Sequence, residues 1–401
     1  MTDAGNANRD GTQVRVPEVL RPLRSLLAVV AHPDDESFGL GGVLAALAAT
    51  GRRVSLLCFT AGEGSTLGAS PELARTRTDE LGAAARTLGI DEHWMEELPD
   101  GGLAVLPDGE LAARVRTRVE QADADAVVVL DRSGVTGHAD HRAASAAALS
   151  VAAEAGLPAL EWGLPPGLAE ALAAEFSLEM HGMANGELLA FTVDRGVHWE
   201  AIAAHASQGP DNALLRRRLE LLGDHETLRL VRPPLTGQLA RFVARARRWA
   251  RPDAQPAERA LLLDALISFA ALTDMAAWPA ALLGEDPDRP YAAHCLHDDP
   301  TGWSAAAIIT TSGSATPPHD HHGWGAAATV AGAERNTRYS GACPDRLQVV
   351  GEEVIPTGGG YLFNVGDIHQ ASDASGRTVS LHLLVGGGPH PVQHCPEPPR
   401  Q

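Results

Sequence analysis

The sequence predicts an α/β domain built on a parallel sheet, followed by an all-β domain. Short apolar runs rich in Leu and Val, such as residues 25–30, are followed by a polar turn and a helical pattern, as in a βαβ unit. From Tyr291 onward, short apolar segments alternate with Gly, Pro, Asp and Ser, which is typical of a β-sandwich or jelly roll. A length of 401 residues also exceeds that of one ordinary domain.

Composition and charge exclude several classes of protein. The formal net charge of -19 argues against a nucleic-acid or anionic-membrane partner, because binding phosphates needs a basic surface. All basic residues are arginine, so no lysine can act as a nucleophile. No segment reaches the ~18 apolar residues of a membrane span, and the polar N-terminus does not resemble a signal peptide. The cysteines form no CxxC pair, which predicts reduced thiols and a cytoplasmic location.

The run Ala31-His-Pro-Asp-Asp-Glu36 follows the first predicted strand directly. Ligands bind at the carboxyl ends of parallel strands, where this turn would lie. His32 and Asp35 offer a nitrogen and an oxygen ligand for a metal such as zinc, and Asp34 is left beside them as a base. The alternative is an acidic turn that caps a helix N-terminus, where carboxylates are also favourable. This run alone does not separate the two interpretations.

A second polar cluster follows another predicted strand, residues 125–131. Two parallel strands would bring the side chains of both clusters to one rim: His32, Asp34, Asp35, His138, Asp140 and His141. Three protein ligands with an open position are typical of catalytic zinc. Over roughly residues 24–232 the sequence resembles the PIG-L family of zinc-dependent N-deacetylases, whose motifs are AHPDDE and a later HPDH. Here the second motif is His-Ala-Asp-His, with Ala139 in place of proline.

The resemblance implies a Rossmann-like domain and a role for each polar residue. His32, Asp35 and His141 would bind Zn²⁺. Asp34 would be the general base that takes a proton from water. His138 would stabilise the oxyanion or protonate the leaving amine, and Asp140 would orient His138.

Three further residues are predicted to contact the substrate. Arg77 either forms a surface pair with Glu80 or, by the family resemblance, faces the substrate. Asp100 lies in a Gly-rich turn, and the resemblance gives it a substrate hydroxyl as an alternative to a purely local role. His205 is either an exposed residue at a helix end or, within a segment similar to the family's HxSQ, a residue at or just behind the substrate site.

The second domain carries a separate group of histidines. His319 and His321 are two residues apart, so on a strand both imidazoles would point to one face, and His369 follows at the end of a later strand. Residues 291–401 resemble a cupin (double-stranded β-helix), and more narrowly the thiol dioxygenases related to cysteine dioxygenase. The resemblance implies that the three histidines bind Fe²⁺ and that Ser380 and His382 lie next to them.

This sequence also departs from the dioxygenase pattern. Leu384 stands where the family keeps a tyrosine, and Ala293 where it keeps the arginine that binds the amino-acid carboxylate. Free cysteine is therefore not the expected substrate. Two alternatives stay open: a cupin that is a non-catalytic small-molecule-binding module, and a cupin with other metal chemistry.

We therefore expect a bifunctional metalloenzyme of small-thiol or specialised metabolism. Its zinc site would remove an N-acyl group from a small amino sugar or cysteine derivative, and its iron site would use O₂ to convert a thiol into a sulfinate. The predicted segments are a flexible arm (1–22), the deacetylase domain (23–250), a linker with a helical lead-in (251–290) and the cupin (291–401).

Overall fold

The structure of this chain is a computed structural model that describes residues 13–67, 69–183, 185–209, 212–275, 278, 291–341 and 346–387, and the backbone of 389–391. Residues 1–12 of the predicted arm and 279–290 of the predicted lead-in lie outside these ranges. The chain divides into two compact units, residues 1–233 and 234–401. Among the described residues, no helix is both long enough and apolar enough to cross a membrane.

The first unit is a seven-stranded sheet in the order β3-β2-β1-β4-β5-β7-β6. Strands β1 to β5 pair in parallel, and β6 and β7 add an antiparallel edge. The predicted α/β domain with a parallel sheet is confirmed. The strands are β1 (Ser25–Val30), β2 (Arg53–Thr60), β3 (Glu92–Leu98), β4 (Ala126–Leu130), β5 (Ala159–Trp162), β6 (Glu187–Thr192) and β7 (His225–Val231).

Helices connect these strands and cover the sheet. They are α1 (Asp35–Phe38), α2 (Gly41–Ala49), α3 (Leu73–Leu88), α4 (Glu110–Gln121), α5 (Ala139–Glu154), α6 (Pro166–Phe176), α7 (Arg195–Ala204) and α8 (Ala213–Leu222). All six residues of β1 are buried, which explains its continuous apolar sequence. Strand β1 pairs with β2 on one side and β4 on the other, so the strand order reverses beside it. Ligands bind at such a switch point, outside the carboxyl ends of the strands.

The second unit contains two five-stranded sheets, β13-β12-β15-β10-β17 and β14-β11-β16-β9-β8. Every strand pair in them is antiparallel, as predicted for an all-β domain. The strands are β8 (Tyr291–Asp299), β9 (Trp303–Thr311), β10 (His319–His321), β11 (Trp324–Ala331), β12 (Ala333–Ser340), β13 (Gln348–Pro356), β14 (Gly360–Phe363), β15 (Ile368–Asp373), β16 (Arg377–Val385) and β17 (Pro389–Pro391).

The division between the units falls after residue 233, earlier than the predicted boundary at residue 250. Helices α9 (Leu235–Trp249) and α10 (Pro256–Leu272) both belong to the second unit. The rings of Phe242 on α9 and Phe269 on α10 stack at 5.3 Å and join one apolar core with Trp303 and Trp324. Apolar contact, which the arginine-rich sequence of α9 does not reveal, therefore places this helix with the sheets.

Candidate active site

The loop after β1 is folded by its own carboxylates. The N–H groups of Ala31 and His32 donate to Asp35 Oδ2 at 3.1 and 3.0 Å. The N–H of Asp34 donates to Glu36 Oε2 at 2.9 Å. Asp34 has φ 128° and ψ -26°, a backbone conformation that residues other than glycine rarely adopt. The loop thus holds one of its carboxylates in a strained position.

Three predicted ligand atoms converge beside this loop. His141 Nε2 lies 3.0 Å from Asp35 Oδ1 and 3.1 Å from His32 Nδ1, and His32 Nδ1 lies 3.7 Å from Asp35 Oδ2. Ligands about 2.1 Å from a tetrahedral metal lie about 3.4 Å from one another, so these separations fit one zinc ion. The second ring nitrogen of His141 lies 3.3 Å from the carbonyl oxygen of Gly134, a contact that orients the ring. Two imidazoles and a carboxylate are a donor set that zinc accepts.

The same residues change one another's pKa values. Burial acts to raise the pKa of Asp35, but His141 and His32 outweigh it and the pKa lies below its usual range. Burial acts to lower the pKa of His141, but Asp35 raises it to about 9. Burial and the charge of Asp35 raise the pKa of Asp34 to about 7, against the opposing effect of Arg77. The site therefore concentrates negative charge, which favours a bound cation.

Arg77 is buried and holds Asp34. Its Nη2 lies 3.0 Å from Asp34 Oδ2 and donates to the carbonyl of Pro33, and its Nη1 donates to the carbonyl of Gly62 at 2.7 Å. The surface pair with Glu80 is not formed: Glu80 accepts hydrogen bonds from the N–H and hydroxyl of Ser207. Arg77 lines the cavity described below, where it fixes the carboxylate of Asp34.

The contacts of Asp140 differ from those of its predicted role, which was to orient His138. Its carboxylate is fully buried and accepts the N–H groups of Gly101 at 2.7 Å and Leu103 at 3.0 Å. Its Oδ2 also lies 3.5 Å from His32 Nε2. His138 instead accepts the backbone N–H of Asp140 at its Nδ1, at 3.2 Å. The carboxylate thus fixes the turn at residues 101–103 and faces His32.

Asp100 lies in the predicted turn and also in the wall of the cavity. Its Oδ1 is 3.0 Å from His32 Nε2, and its Oδ2 accepts the N–H of Gly64 at 2.9 Å. Asp100 and Asp140 therefore both face the outer nitrogen of His32. Carboxylates in this position orient a histidine ligand and raise its basicity.

His138 and His205 lie on different sides of the site. His138 caps α5, lines the cavity with part of its ring removed from solvent, and has its ring centroid 4.9 Å from that of His32. Burial and the neighbouring histidines lower the pKa of His138. His205 is fully buried behind the loop, where its Nε2 lies 2.6 Å from Glu36 Oε1. It therefore does not reach the cavity as a substrate contact would, but holds the loop through Glu36.

The buried pair of His205 and Glu36 predicts a large effect on stability. We expect His205→Ala to lower the free energy of unfolding of the first unit by about 3 kcal/mol, because it leaves the Glu36 carboxylate buried without its partner. Urea denaturation measures this change. His225→Ala is the matched control: its partner Asp224 is partly exposed, so we expect a change within about 0.5 kcal/mol. Equal effects from the two variants would contradict the prediction.

A cavity of about 460 Å³ opens over the converging ligands. Sequence reasoning missed several residues in its wall, among them Trp162, Gln208, Asn212 and Arg218. Gln208 belongs to the HxSQ-like segment, so that resemblance was a signal for it. The other three lie in or next to β5 and α8, whose placement depends on tertiary packing, and no motif marked them.

The three histidines of the second unit also meet. His319 on β10 pairs in register with His369 on β15, and the Nε2 atoms of His321 and His369 are 3.0 Å apart. All three are buried, and their ligand atoms lie within 4.8 Å of one another. Asn336 Oδ1 lies 3.1 Å from His369 Nδ1, and the carbonyl oxygen of Pro317 lies 2.8 Å from His319 Nδ1. Burial and the neighbouring histidines lower the pKa of His369 well below its usual range, so its imidazole is neutral.

A hydrogen-bonded chain lies next to these histidines. Ser380 Oγ is 3.1 Å from His382 Nε2, which lies 3.3 Å from Glu334 Oε2. The Tyr361 hydroxyl donates to Glu334 Oε1 at 2.8 Å, and the Tyr361 ring centroid is 6.1 Å from that of His369. Sequence reasoning named Ser380 and His382 but missed the roles of Glu334 and Tyr361, since these reach the site from other strands.

The family described as "PIG-L: GlcNAc-PI de-N-acetylase" matches residues 27–152. A relative from Salinispora arenicola (strain CNS-205), a 1D-myo-inositol 2-acetamido-2-deoxy-alpha-D-glucopyranoside deacetylase, is 31% identical over 244 residues, which are 48% of this chain and 79% of the relative. The chain belongs to the PIG-L family. The family match includes His32, Asp35 and His141 and lies entirely within the first unit.

Two further similar proteins match over different shares of their length. A deacetylase of the same name from Kineococcus radiotolerans is 32% identical over 175 residues, which are 35% of this chain and 48% of that protein. The chain thus spans about half the length of this relative. A solved structure, the conserved protein TT1542 from Thermus thermophilus, aligns at 25% identity with a TM-score of 0.41, over 52% of this chain and 94% of that chain.

Proposed function

We propose that the first unit is a zinc-dependent N-deacetylase that hydrolyses the amide of a small N-acyl compound. The observation that carries this proposal is the convergence of His32, Asp35 and His141 to within 3.0–3.7 Å at a cavity lined by Asp34. The names of the PIG-L relatives support it, because they describe deacetylases of an acetamido sugar. The substrate class is an N-acyl amino sugar or cysteine derivative.

Each polar residue has a place in this hydrolysis. Zinc bound by His32, Asp35 and His141 would lower the pKa of a coordinated water and polarise the amide carbonyl. Asp34 accepts the proton of the attacking water while Arg77 holds its carboxylate in place. His138, in the cavity wall, stabilises the oxyanion or donates the proton that the leaving amine needs. Asp100 and Asp140 keep the ring of His32 in its orientation.

Acetate release tests the hydrolysis. The full chain is stripped with a chelator, reloaded with Zn²⁺ and incubated with N-acetylglucosamine, N-acetylcysteine and glycosides of N-acetylglucosamine. We expect release of acetate and a free amine from at least one of them by the reloaded protein, and none by the stripped protein. Absence of acyl release from every compound after zinc is bound would contradict the proposal.

For the second unit we propose an iron-dependent thiol dioxygenase of the cupin type, which converts a thiol and O₂ into a sulfinate. Three buried imidazoles on two neighbouring strands of one antiparallel sheet support this proposal. Neutral ligands leave the charge on Fe²⁺, which favours binding of a thiolate. Ala293, where an arginine is expected in such enzymes, is exposed on β8, and this supports the alternative of a non-catalytic binding module. The fusion of the two units suggests that both act on one N-acyl thiol.

Oxygen uptake separates the alternatives for the second unit. Iron-loaded protein is given small thiols and N-acyl thiols under O₂, and products are examined by mass spectrometry. A product heavier by two oxygen atoms supports dioxygenation. Bound iron with a different product indicates other metal chemistry, and a unit that takes up no iron is the binding module. If neither acyl release nor thiol-dependent O₂ uptake appears with any N-acyl thiol, the bifunctional proposal fails.

A further inference from the structure

Among the residues that the structure describes, one guanidinium in the cavity wall has no carboxylate at ion-pair distance. Arg218, on α8, lines the same cavity as His32 and Asp34. Its Nη2 donates to the carbonyl of Phe38, and its Cζ lies over the ring of Trp162, 5.0 Å from the centroid. Within the described part of the chain, no carboxylate lies at ion-pair distance from Arg218, and its Nε is buried without an acceptor. The chain thus leaves hydrogen-bonding capacity on this cation unused.

Glu226, whose charge acts on Arg218, already accepts hydrogen bonds from two other residues. Glu226 accepts a hydrogen bond from Arg195 Nη1 at 2.5 Å on Oε1 and from Trp162 Nε1 at 2.9 Å on Oε2. By contrast, the adjacent Arg217 pairs with two carboxylates on the protein surface, Glu175 at 3.0 Å and Glu220 at 3.3 Å. The two consecutive arginines are both half-buried, but among the described residues only Arg217 has carboxylates at ion-pair distance.

The carboxylates at and beside the predicted metal ligands also have partners within the protein. Asp34 faces Arg77, Asp35 faces His141, and Asp100 faces His32. Within the described ranges, Arg218 is therefore a charged group of the cavity wall that these contacts leave uncompensated. Burial lowers its pKa to about 10, so it is still cationic at neutral pH.

An unpaired cation away from bulk water is unfavourable unless an anion reaches it. The planar fork of a guanidinium matches the oxygen spacing of a carboxylate or phosphate and can donate two parallel hydrogen bonds to it. We propose that Arg218 binds an anionic group, a carboxylate or a phosphate, on the part of the substrate beyond its N-acyl group. This inference rests on the proposed amide hydrolysis and makes the substrate an acidic N-acyl compound.

Four sugars that share one ring test the proposal by their charge. They are N-acetylglucosamine, its 6-phosphate, the corresponding 6-carboxylate, and the 1-phosphate, which carries the anion at a second position. We expect the wild-type protein to prefer at least one anionic sugar in kcat/KM by about 10- to 100-fold. Arg218→Gln should abolish this preference mainly through KM. Preference for the phosphates or for the carboxylate identifies which anion the site takes. Arg217→Gln is the matched control and should retain the preference.

A purely structural role for Arg218 would give a different result. Loss of packing against Trp162 would lower kcat/KM for neutral and anionic sugars by the same factor, whereas Arg218→Lys, which keeps the charge, should restore part of the preference. Equal kcat/KM of neutral and anionic sugars in the wild type, or a preference that survives in Arg218→Gln, would overturn the proposal.

Calorimetric titration of the same sugars distinguishes failure of this inference from failure of the proposed hydrolysis. If zinc-loaded protein releases no acetate, the hydrolysis proposal fails for these sugars, yet binding still reports on Arg218. We expect an anionic sugar to bind about 10-fold more tightly than the neutral one, and Arg218→Gln to remove the difference. Equal binding, including no binding of either sugar, would overturn the role of Arg218.

Discussion

Asp34→Asn is expected to lower kcat/KM for amide hydrolysis by about 10²- to 10⁴-fold while the zinc content stays at the wild-type value. An amide nitrogen in place of the carboxylate oxygen cannot accept the proton of the attacking water. Asp34 is not one of the three converging ligands, so zinc should still bind. Acetate release and elemental analysis of the same preparation measure the two quantities.

Asn is the suitable replacement because it keeps the shape of Asp34 and tolerates a positive φ. Asp108→Asn, an exposed carboxylate ahead of α4, is the matched control and should change neither quantity. Retention of activity within about threefold would exclude Asp34 as the base. Loss of zinc along with activity would mean that the charge of Asp34 helps to hold the metal.

His369→Ala is expected to abolish iron binding and thiol-dependent O₂ uptake, while zinc binding and amide hydrolysis remain. His369 supplies one of three imidazoles that meet within 4.8 Å, and its removal leaves two ligands. Mutation of a residue that only hydrogen-bonds to a metal ligand lowers the metal affinity by about 10- to 100-fold. Loss of a ligand itself should lower the affinity further. Elemental analysis of the full chain and oxygen-electrode traces measure the outcome.

His322→Ala provides the control for the second site. His322 directly follows the two histidines of β10 but is exposed, so iron and oxygen uptake should be retained. Wild-type iron content in His369→Ala would show that iron binds elsewhere. Loss of zinc or amide hydrolysis in this variant would show that the two sites depend on each other.

The meeting of His32 with His141 and of His319 with His321 could be predicted because simple rules bring these residues together. Strands β1 and β4 are parallel neighbours, so His32 and His141, which follow them, meet at one sheet edge. Residues two apart on a strand share a face, which places His319 with His321. In each case a short apolar run and a local motif contained the information.

Other roles could not be predicted because they depend on distant backbone. The Asp140 carboxylate binds N–H groups of Gly101 and Leu103, whose position follows from how a separate loop folds. Helical spacing alone could not tell that Arg218 of α8 lines the cavity while the adjacent Arg217 forms ion pairs on the surface. The Arg77 interactions likewise needed the folded position of Asp34.

The backbone of Asp34 has a consequence for selection under heat. A residue other than glycine at φ 128° costs about 1–3 kcal/mol, which the rest of the loop must offset. Asp34→Gly relieves this cost, but it also leaves the buried Arg77 without its carboxylate, which costs about 3–5 kcal/mol. Selection for heat resistance alone should therefore enrich glycine at position 34 only together with a neutral residue at position 77, and such variants should lose hydrolysis, whereas selection for turnover at the same temperature should keep both residues and stabilise other parts of the unit.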